Sequence, residues 1–411
     1  MTESALAPRG IRSQFGSLGQ HYLSVIIVGI VTSQLVQYLA PNSTAWKGQG
    51  LSILLTLAAL ALAVALCFAA SPMMQWSGLS KLILISLLLY WGIALISNYS
   101  HHDGYNYTAF VIPVVVIMLW LRPVSYAVMR MSVEVFAWSV LTIAVVAQVC
   151  VRLGWVAARQ EFPHRFPLLP WLGQEARWEG PFGNVNYSGP IGAFLFVYAL
   201  TCTGAKRWIL LGGGVVFLFA SESRGAFAAA IAGLLVYGLL QDRPLGVVMT
   251  RTKRLAIVGG ILAAIMLVIA VVDPTMNGRA TIWNEYLHLW PTHPWFGFSQ
   301  ADILATIADG RLSFFATHGH NLFFETLISA GILGLLALLC WLALGFIASL
   351  RAARMGMATG FTIFAAMLVS AMDEDLYTGI YLSVLFLPTV LAVLVSMSRL
   401  DTRTPEAEEF S

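Results

Sequence analysis

The chain has 411 residues, of which 58% are hydrophobic and 10% charged, with a net charge of +3. A soluble domain carries about 25% charged residues, so this composition argues against a water-soluble fold and for a single membrane domain over residues 1–411. The basic residues form no stripe with interleaved aromatics, which sets nucleic acid aside as a partner.

Residues 1–20 are polar and contain Arg9 and Arg12. They lack the pattern of a cleaved signal, and the apolar run that follows is long enough to span, so it is expected to be its own insertion signal. Crossing a bilayer as a helix takes about 20 mostly apolar residues, because no water is present there to satisfy exposed backbone groups. Such runs recur at 21–39, 51–70, 81–97, 105–121, 133–151, 187–203, 208–220, 225–240, 255–272, 329–350, 359–372 and 380–398. The predicted fold is an all-α integral membrane protein of about twelve transmembrane helices. Cys67, Cys150, Cys202 and Cys340 all fall in these apolar segments, without a CxxC pair, and read as small hydrophobes.

Twelve crossings place both termini on one side, and the basic residues identify it. The segments grouped with the termini hold 15 of the 23 Lys and Arg, from Arg9 to Arg403, which makes that side cytoplasmic. Loops 152–186 and 273–323 then face outward. Seven of the eight histidines, at 101, 102, 164, 288, 293, 318 and 320, fall on that outer side, which marks it as the working face.

Loop 152–186 is rich in Pro, Trp and Gly, as suits an ordered cap at the interface. In loop 273–323, Trp283, Leu287 and Trp290 recur at i, i+4 and i+7. They predict a short amphipathic helix over 279–290 that presents those three residues as its apolar face and lies flat on the membrane. Pro291, Pro294 and Gly297 break it.

Four groups can carry chemistry. Arg224, in Ser221-Glu222-Ser223-Arg224-Gly225, is either a snorkelling interfacial arginine or a functional cation held in a tight turn. Arg279, at the start of the amphipathic helix, is either a headgroup anchor or a clamp on one phosphate, for which its planar fork is suited. His318 and His320 could form half of a metal site with His288 or His293, although no carboxylate stands at a familiar spacing. Either could also be a general base working near neutral pH. Gly180-Pro181-Phe182-Gly183-Asn184-Val185-Asn186-Tyr187 reads as a turn with an Asn N-cap, or as a source of amides for sugar hydroxyls. Asn184, Asn186, His318, Asn321 and Arg311 are the candidate substrate-binding residues, and no metal or other cofactor is expected.

The order of these elements resembles a known family. The stretch before a helix reads GxFGNxN, the turn SxSRGA, and the helix start R-x-x-x-W. After Thr292-His293-Pro294-Trp295-Phe296-Gly297-Phe298, the stretch from His320 reads HN-x-x-x-E-x-x-x-x-x-G-I-x-G. Together, over residues 180–334, they resemble the O-antigen ligase and polymerase superfamily of bacterial membrane glycosyltransferases. The loop has Trp-Phe-Gly-Phe where Gly-x-Gly is common, and His318 stands beside the expected histidine. The resemblance implies a GT-C-like helical fold in the bacterial inner membrane with its active site facing the periplasm. It also implies metal-independent, inverting transfer of a glycan from an undecaprenyl-diphosphate carrier to a glycan or glycolipid acceptor such as lipid A-core. By the same resemblance, Arg224 and Arg279 match the arginines associated with the donor diphosphate, and His320 the histidine associated with activation of the acceptor hydroxyl. A repeat-unit polymerase would need the same donor groups. A transporter of lipid-linked glycan would instead place ionisable residues near mid-bilayer, where only Glu134 and Glu325 come into question.

Overall fold

The computed structural model describes residues 19–39, 45–69, 75–99, 111–156, 177–178, 180–182, 185–240, 278–314, 316–373 and 385–401. The span expected at 255–272, most of loop 152–186, and Asn184 lie outside them. The described residues form helices joined by turns and loops, with no strand among them.

In chain order the helices are α1 (Tyr22–Leu39), α2 (Ala45–Ala69), α3 (Gly78–Tyr99), α4 (Val111–Leu121), α5 (Tyr126–Arg152), α6 (Val185–Leu200), α7 (Gly204–Ser221), α8 (Arg224–Leu240), α9 (Arg279–Leu289), α10 (Gln300–Ala308), α11 (Leu322–Arg354), α12 (Ala358–Asp373) and α13 (Leu387–Asp401). Six of them, α1 to α3, α5, α7 and α11, contain stretches long and apolar enough to cross a membrane, and α4, α8 and α12 are shorter apolar helices. The two short spans expected at 208–220 and 359–372 are extended at their ends, in α7 and α12, by polar and small residues that hydropathy windows leave out.

The long helices run alternately between two ends of the bundle. At one end the Tyr22 hydroxyl donates to the Arg122 carbonyl at 3.0 Å, and Ser77 N–H donates to Asp401 Oδ2 at 3.2 Å, tying the starts of α1 and α3 to the ends of α4 and α13. Lys81, Arg122, Arg130, Lys206, Arg207, Arg351, Arg354 and Arg399 gather there. At the opposite end Trp178 Nε1 donates to Gln148 Oε1 at 3.1 Å and Asn321 Nδ2 to the Met372 carbonyl at 2.8 Å, which brings the ends of α5 and α12 level with the start of α11.

Small residues let the backbones approach. A Cβ on Gly192 of α6 would stand 2.6 Å from Phe217 Cβ of α7, and one on Gly189 would stand 2.6 Å from Ser223 Cβ and 2.8 Å from Ala226 Cβ. In a bilayer, where apolar transfer contributes little between helices, such close packing is a main source of association. At Gly189 it seats the α7–α8 turn against the start of α6.

Helix α11 is bent. The sequence places the start of this helix near Gly331, but the structure begins it at Leu322 and makes Gly331 an internal kink with φ of 65°. A break of this kind frees backbone groups on both sides, and four of them have identified partners. The Ile328 carbonyl accepts from Phe298 N–H at 2.7 Å, and Ile332 N–H donates to the Pro294 carbonyl at 2.8 Å. Leu333 N–H donates to the Trp295 carbonyl at 3.4 Å, and the Ser329 carbonyl accepts from Ser97 Oγ at 2.6 Å. The loop 294–298 is therefore stitched into the kink, and buried polar backbone stays paired inside an apolar bundle.

Candidate active site

The site is at the end opposite the basic cluster. Its first part is the turn between α7 and α8. Glu222 closes α7 in the left-handed region, with φ of 51°, and Ser223 Oγ accepts from Ala226 N–H at 3.4 Å. The last turn of α7 has carbonyls with no partner in their own helix. Arg177 Nε donates to the Ser221 carbonyl at 2.8 Å and Trp178 N–H to the Ala220 carbonyl at 2.9 Å, while the Trp178 ring packs edge-on against Phe217 at 4.8 Å. Arg224 follows as the first residue of α8, with its side chain exposed.

Arg177 was not apparent from the sequence. It is 4% exposed, and its guanidinium caps a helix end from 44 residues away in the chain. The one legible hint is an arginine beside a tryptophan in a loop that was expected to be an ordered cap.

The second part is the turn 316–321, held by α9. Tyr286 Oη donates to the Ala316 carbonyl at 2.9 Å, Trp283 Nε1 to the Gly319 carbonyl at 2.7 Å, and Glu285 Oε2 accepts from Ser313 N–H and Oγ at 3.0 and 2.9 Å. From the other side Glu325, 1% exposed in the first turn of α11, accepts from Gly319 N–H at 2.6 Å. Both polar groups of Gly319 are thus fixed. His320 follows in the left-handed region with φ of 46°, a conformation uncommon outside glycine. A side chain in that backbone conformation points where an ordinary turn would not send it, and this one is half-buried.

The amphipathic helix is present as α9, but its inward face differs from the expected one. Ile282, Tyr286 and Leu289 are buried, whereas Leu287 is 45% exposed. The half-buried Trp283 stacks on Phe324 at 5.0 Å, nearly parallel. The reason lies in the turn: acceptors at Ala316 and Gly319 draw the Trp283 and Tyr286 side of the helix inward. Arg279 is the first residue of α9 and lies one turn before Trp283, hence on the same helical face as the indole that holds Gly319.

Asn321 caps α11, with Oδ1 accepting from Phe323 N–H at 2.9 Å and Phe324 N–H at 3.2 Å, and its Nδ2 reaches the end of α12. Helix α12 in turn packs beside α8, where a Cβ on Gly233 would stand 3.2 Å from Ala366 Cβ. These helices are antiparallel, so the start of α8, with Arg224, is level with Met372 and its Asn321 contact. His318, His320 and Asn321 belong to the 316–321 turn, Arg279 opens the helix that holds it, and Arg224 opens the helix that packs on α12, whose end Asn321 reaches. Arg311 is not drawn in: its side chain is 64% exposed and stands 3.6 Å from Asp309. Asn186 is half-buried in the first turn of α6. Among the described residues no three His, Cys, Asp or Glu side chains are grouped as metal ligands.

Residues 209–340 match the family model for O-antigen ligase. The matched segment runs from α7 into α11, so it contains the α7–α8 turn, α9, the 316–321 turn and the kink at Gly331. The matched segment thus carries Arg224, Arg279, His318 and His320, while the clasp of Arg177 and Trp178 lies before it. No curated protein matches the chain. The match covers about a third of the chain, and the apolar helices around it are long enough for several membrane crossings.

Proposed function

We propose that the protein transfers a glycan from an undecaprenyl-diphosphate carrier to a glycolipid acceptor such as lipid A-core, at the periplasmic face of the bacterial inner membrane, by an inverting reaction. The observation that carries this reading is the position of the two arginines and the histidine at the end of the bundle away from the basic cluster. A basic end is cytoplasmic by the positive-inside rule, and the site end is then periplasmic.

Arg224 and Arg279 are each the first residue of a helix. A diphosphate at such a position meets a guanidinium together with the positive dipole end of the helix. As the sugar leaves, negative charge builds on the departing phosphate oxygen, and fixed cations stabilise that charge without having to reorganise. His320, held by its neighbours in a strained backbone, takes the proton of the attacking hydroxyl, a step for which an imidazole suits neutral pH. The acceptor oxygen forms the new bond to the anomeric carbon from the face opposite the diphosphate, which inverts the centre.

The test is transfer in proteoliposomes that contain purified protein, a lipid-linked glycan donor and lipid A-core. Formation of a single glycosylated lipid A-core that depends on Arg224 and His320 is the expected result. A ladder of lengthened lipid-linked glycan, with lipid A-core unmodified, would instead identify a polymerase. Absence of any transfer with intact, folded protein would overturn both.

A further inference from the structure

A cavity of about 840 Å³ lies at the other end of the molecule, between α1, α5 and the start of α7. It plays no part in the glycan-transfer reading and does not depend on it. Its lining is ordered by polarity along α5. Tyr126, Arg130 and Glu134 recur at i, i+4 and i+8 near the basic end, joined by Lys206, whose Nζ stands 2.7 Å from Glu134 Oε2. Beyond them the walls are mainly apolar, with Val28, Met131, Val135, Trp138 and Ile143.

The charges do not cancel. Lys206 answers Glu134, which leaves Arg130, exposed at the mouth and without a carboxylate partner among the described residues. The Arg399 guanidinium stands 5.8 Å from the centroid of the ring of Tyr126, one of the lining residues. The mouth is therefore cationic and the interior apolar.

From Tyr126 to Ile143 the helix rises about 25 Å, at roughly 1.5 Å per residue. One leaflet of hydrocarbon is about 15 Å deep, so the cavity can take a headgroup and the chain below it. Val28 and Met131 on its walls are 45% and 46% exposed, which opens it sideways toward the bilayer. A cleft that opens sideways into a bilayer is filled by lipid, because an empty one forfeits the packing contacts of its walls. The charge then selects which lipid, and basic pockets between helices at the cytoplasmic side favour anionic headgroups.

We propose that this cavity is a binding site for an anionic diacyl phospholipid of the cytoplasmic leaflet, its phosphate at Arg130 and one acyl chain along Met131, Val135 and Ile143.

The experiment is native mass spectrometry of delipidated full-length protein titrated with equal amounts of phosphatidylglycerol and phosphatidylcholine. The expected result is a phosphatidylglycerol adduct favoured at least about fivefold, the effect of one basic residue at a membrane surface. Arg130→Gln should lower that preference about fivefold, and Arg130→Lys should retain most of it. Ser139→Trp, which fills the apolar half, should remove the adduct while elution and melting stay as in the unaltered protein. Inorganic phosphate should not compete. Equal adducts of the two lipids, an undiminished adduct in Ser139→Trp, competition by inorganic phosphate, or a stronger adduct with undecaprenyl phosphate would each overturn the proposal.

Discussion

The indole of Trp283 donates a 2.7 Å hydrogen bond to the carbonyl of Gly319, across 36 residues of chain. With Glu325 on the Gly319 N–H, it fixes the peptide groups that lead into His320. The position of the proposed base is thus set by two side chains that need not touch substrate.

Trp283→Phe keeps an aromatic ring beside Phe324 and removes the N–H donor together with one ring of the indole. A lost hydrogen bond of this kind costs about 1 kcal/mol, so the protein should melt a few degrees lower and remain inserted. Transfer should fall about tenfold if the turn positions the base within the tolerance that catalysis requires. Paired melting and single-turnover measurements check this, and an unchanged rate would disconnect the turn from the chemistry.

Gly319→Ala should be worse. The added Cβ would stand 3.0 Å from Glu325 N, 3.1 Å from Glu325 Oε2 and 3.2 Å from Tyr286 Cε2, all of them held in place. Loss of most transfer in a protein that still purifies as a monodisperse species is the expected outcome.

For the proposed donor site, Arg224→Lys and Arg279→Lys should insert normally and lose most transfer, since a point charge does not reproduce a two-pronged grip on phosphate. His320→Ala should abolish transfer yet leave donor binding nearly intact, and His318→Ala should be milder. EDTA should change neither the unaltered protein nor the His318 variant. Donor binding and transfer, measured in parallel on purified protein, separate these roles. A dead His318→Ala beside an active His320→Ala would move the base by two residues.

Gly297 and Gly331 should behave as one unit. A Cβ on Gly331 would run into the Trp295 carbonyl, and one on Gly297 into the Ile328 carbonyl, so each alanine variant pushes the loop out of the same kink. Each should destabilise strongly, and the double variant should cost less than the sum, by more than about 0.5 kcal/mol. Additive losses would mean the loop and the kink are independent.

Sidedness is open to labelling in a cysteine-free background. Asn284→Cys, exposed on α9, should react with an impermeant maleimide in intact spheroplasts, while Ala205→Cys, exposed at the basic end, should react only after lysis. The reverse pattern would place the arginines and His320 in the cytoplasm and remove the proposed reaction with them.

The sequence by itself determined what depends on local composition. Long apolar runs must become helices in a bilayer, because each helix satisfies its own backbone, and the gathering of basic residues at one end follows from the order of the segments. The sequence also singles out Arg224, Arg279 and His320, through short motifs, as candidates for handling phosphate and protons. Tertiary structure alone decided how those motifs fit together. The inward face of α9 is Ile282, Tyr286 and Leu289, because distant carbonyls at Ala316 and Gly319 attract its polar tips, and helical periodicity cannot register a partner 30 residues away. Pro294 to Phe298 and the glycine at 331 read as separate turn and helix signals, yet each supplies the hydrogen-bonding groups the other lacks. The role of Arg177 is hidden for the same reason: the Ser221 carbonyl it caps becomes an orphan only when α7 ends beside it. Pairing of polar groups between segments is fixed by packing, and an individual segment of sequence does not encode its partner.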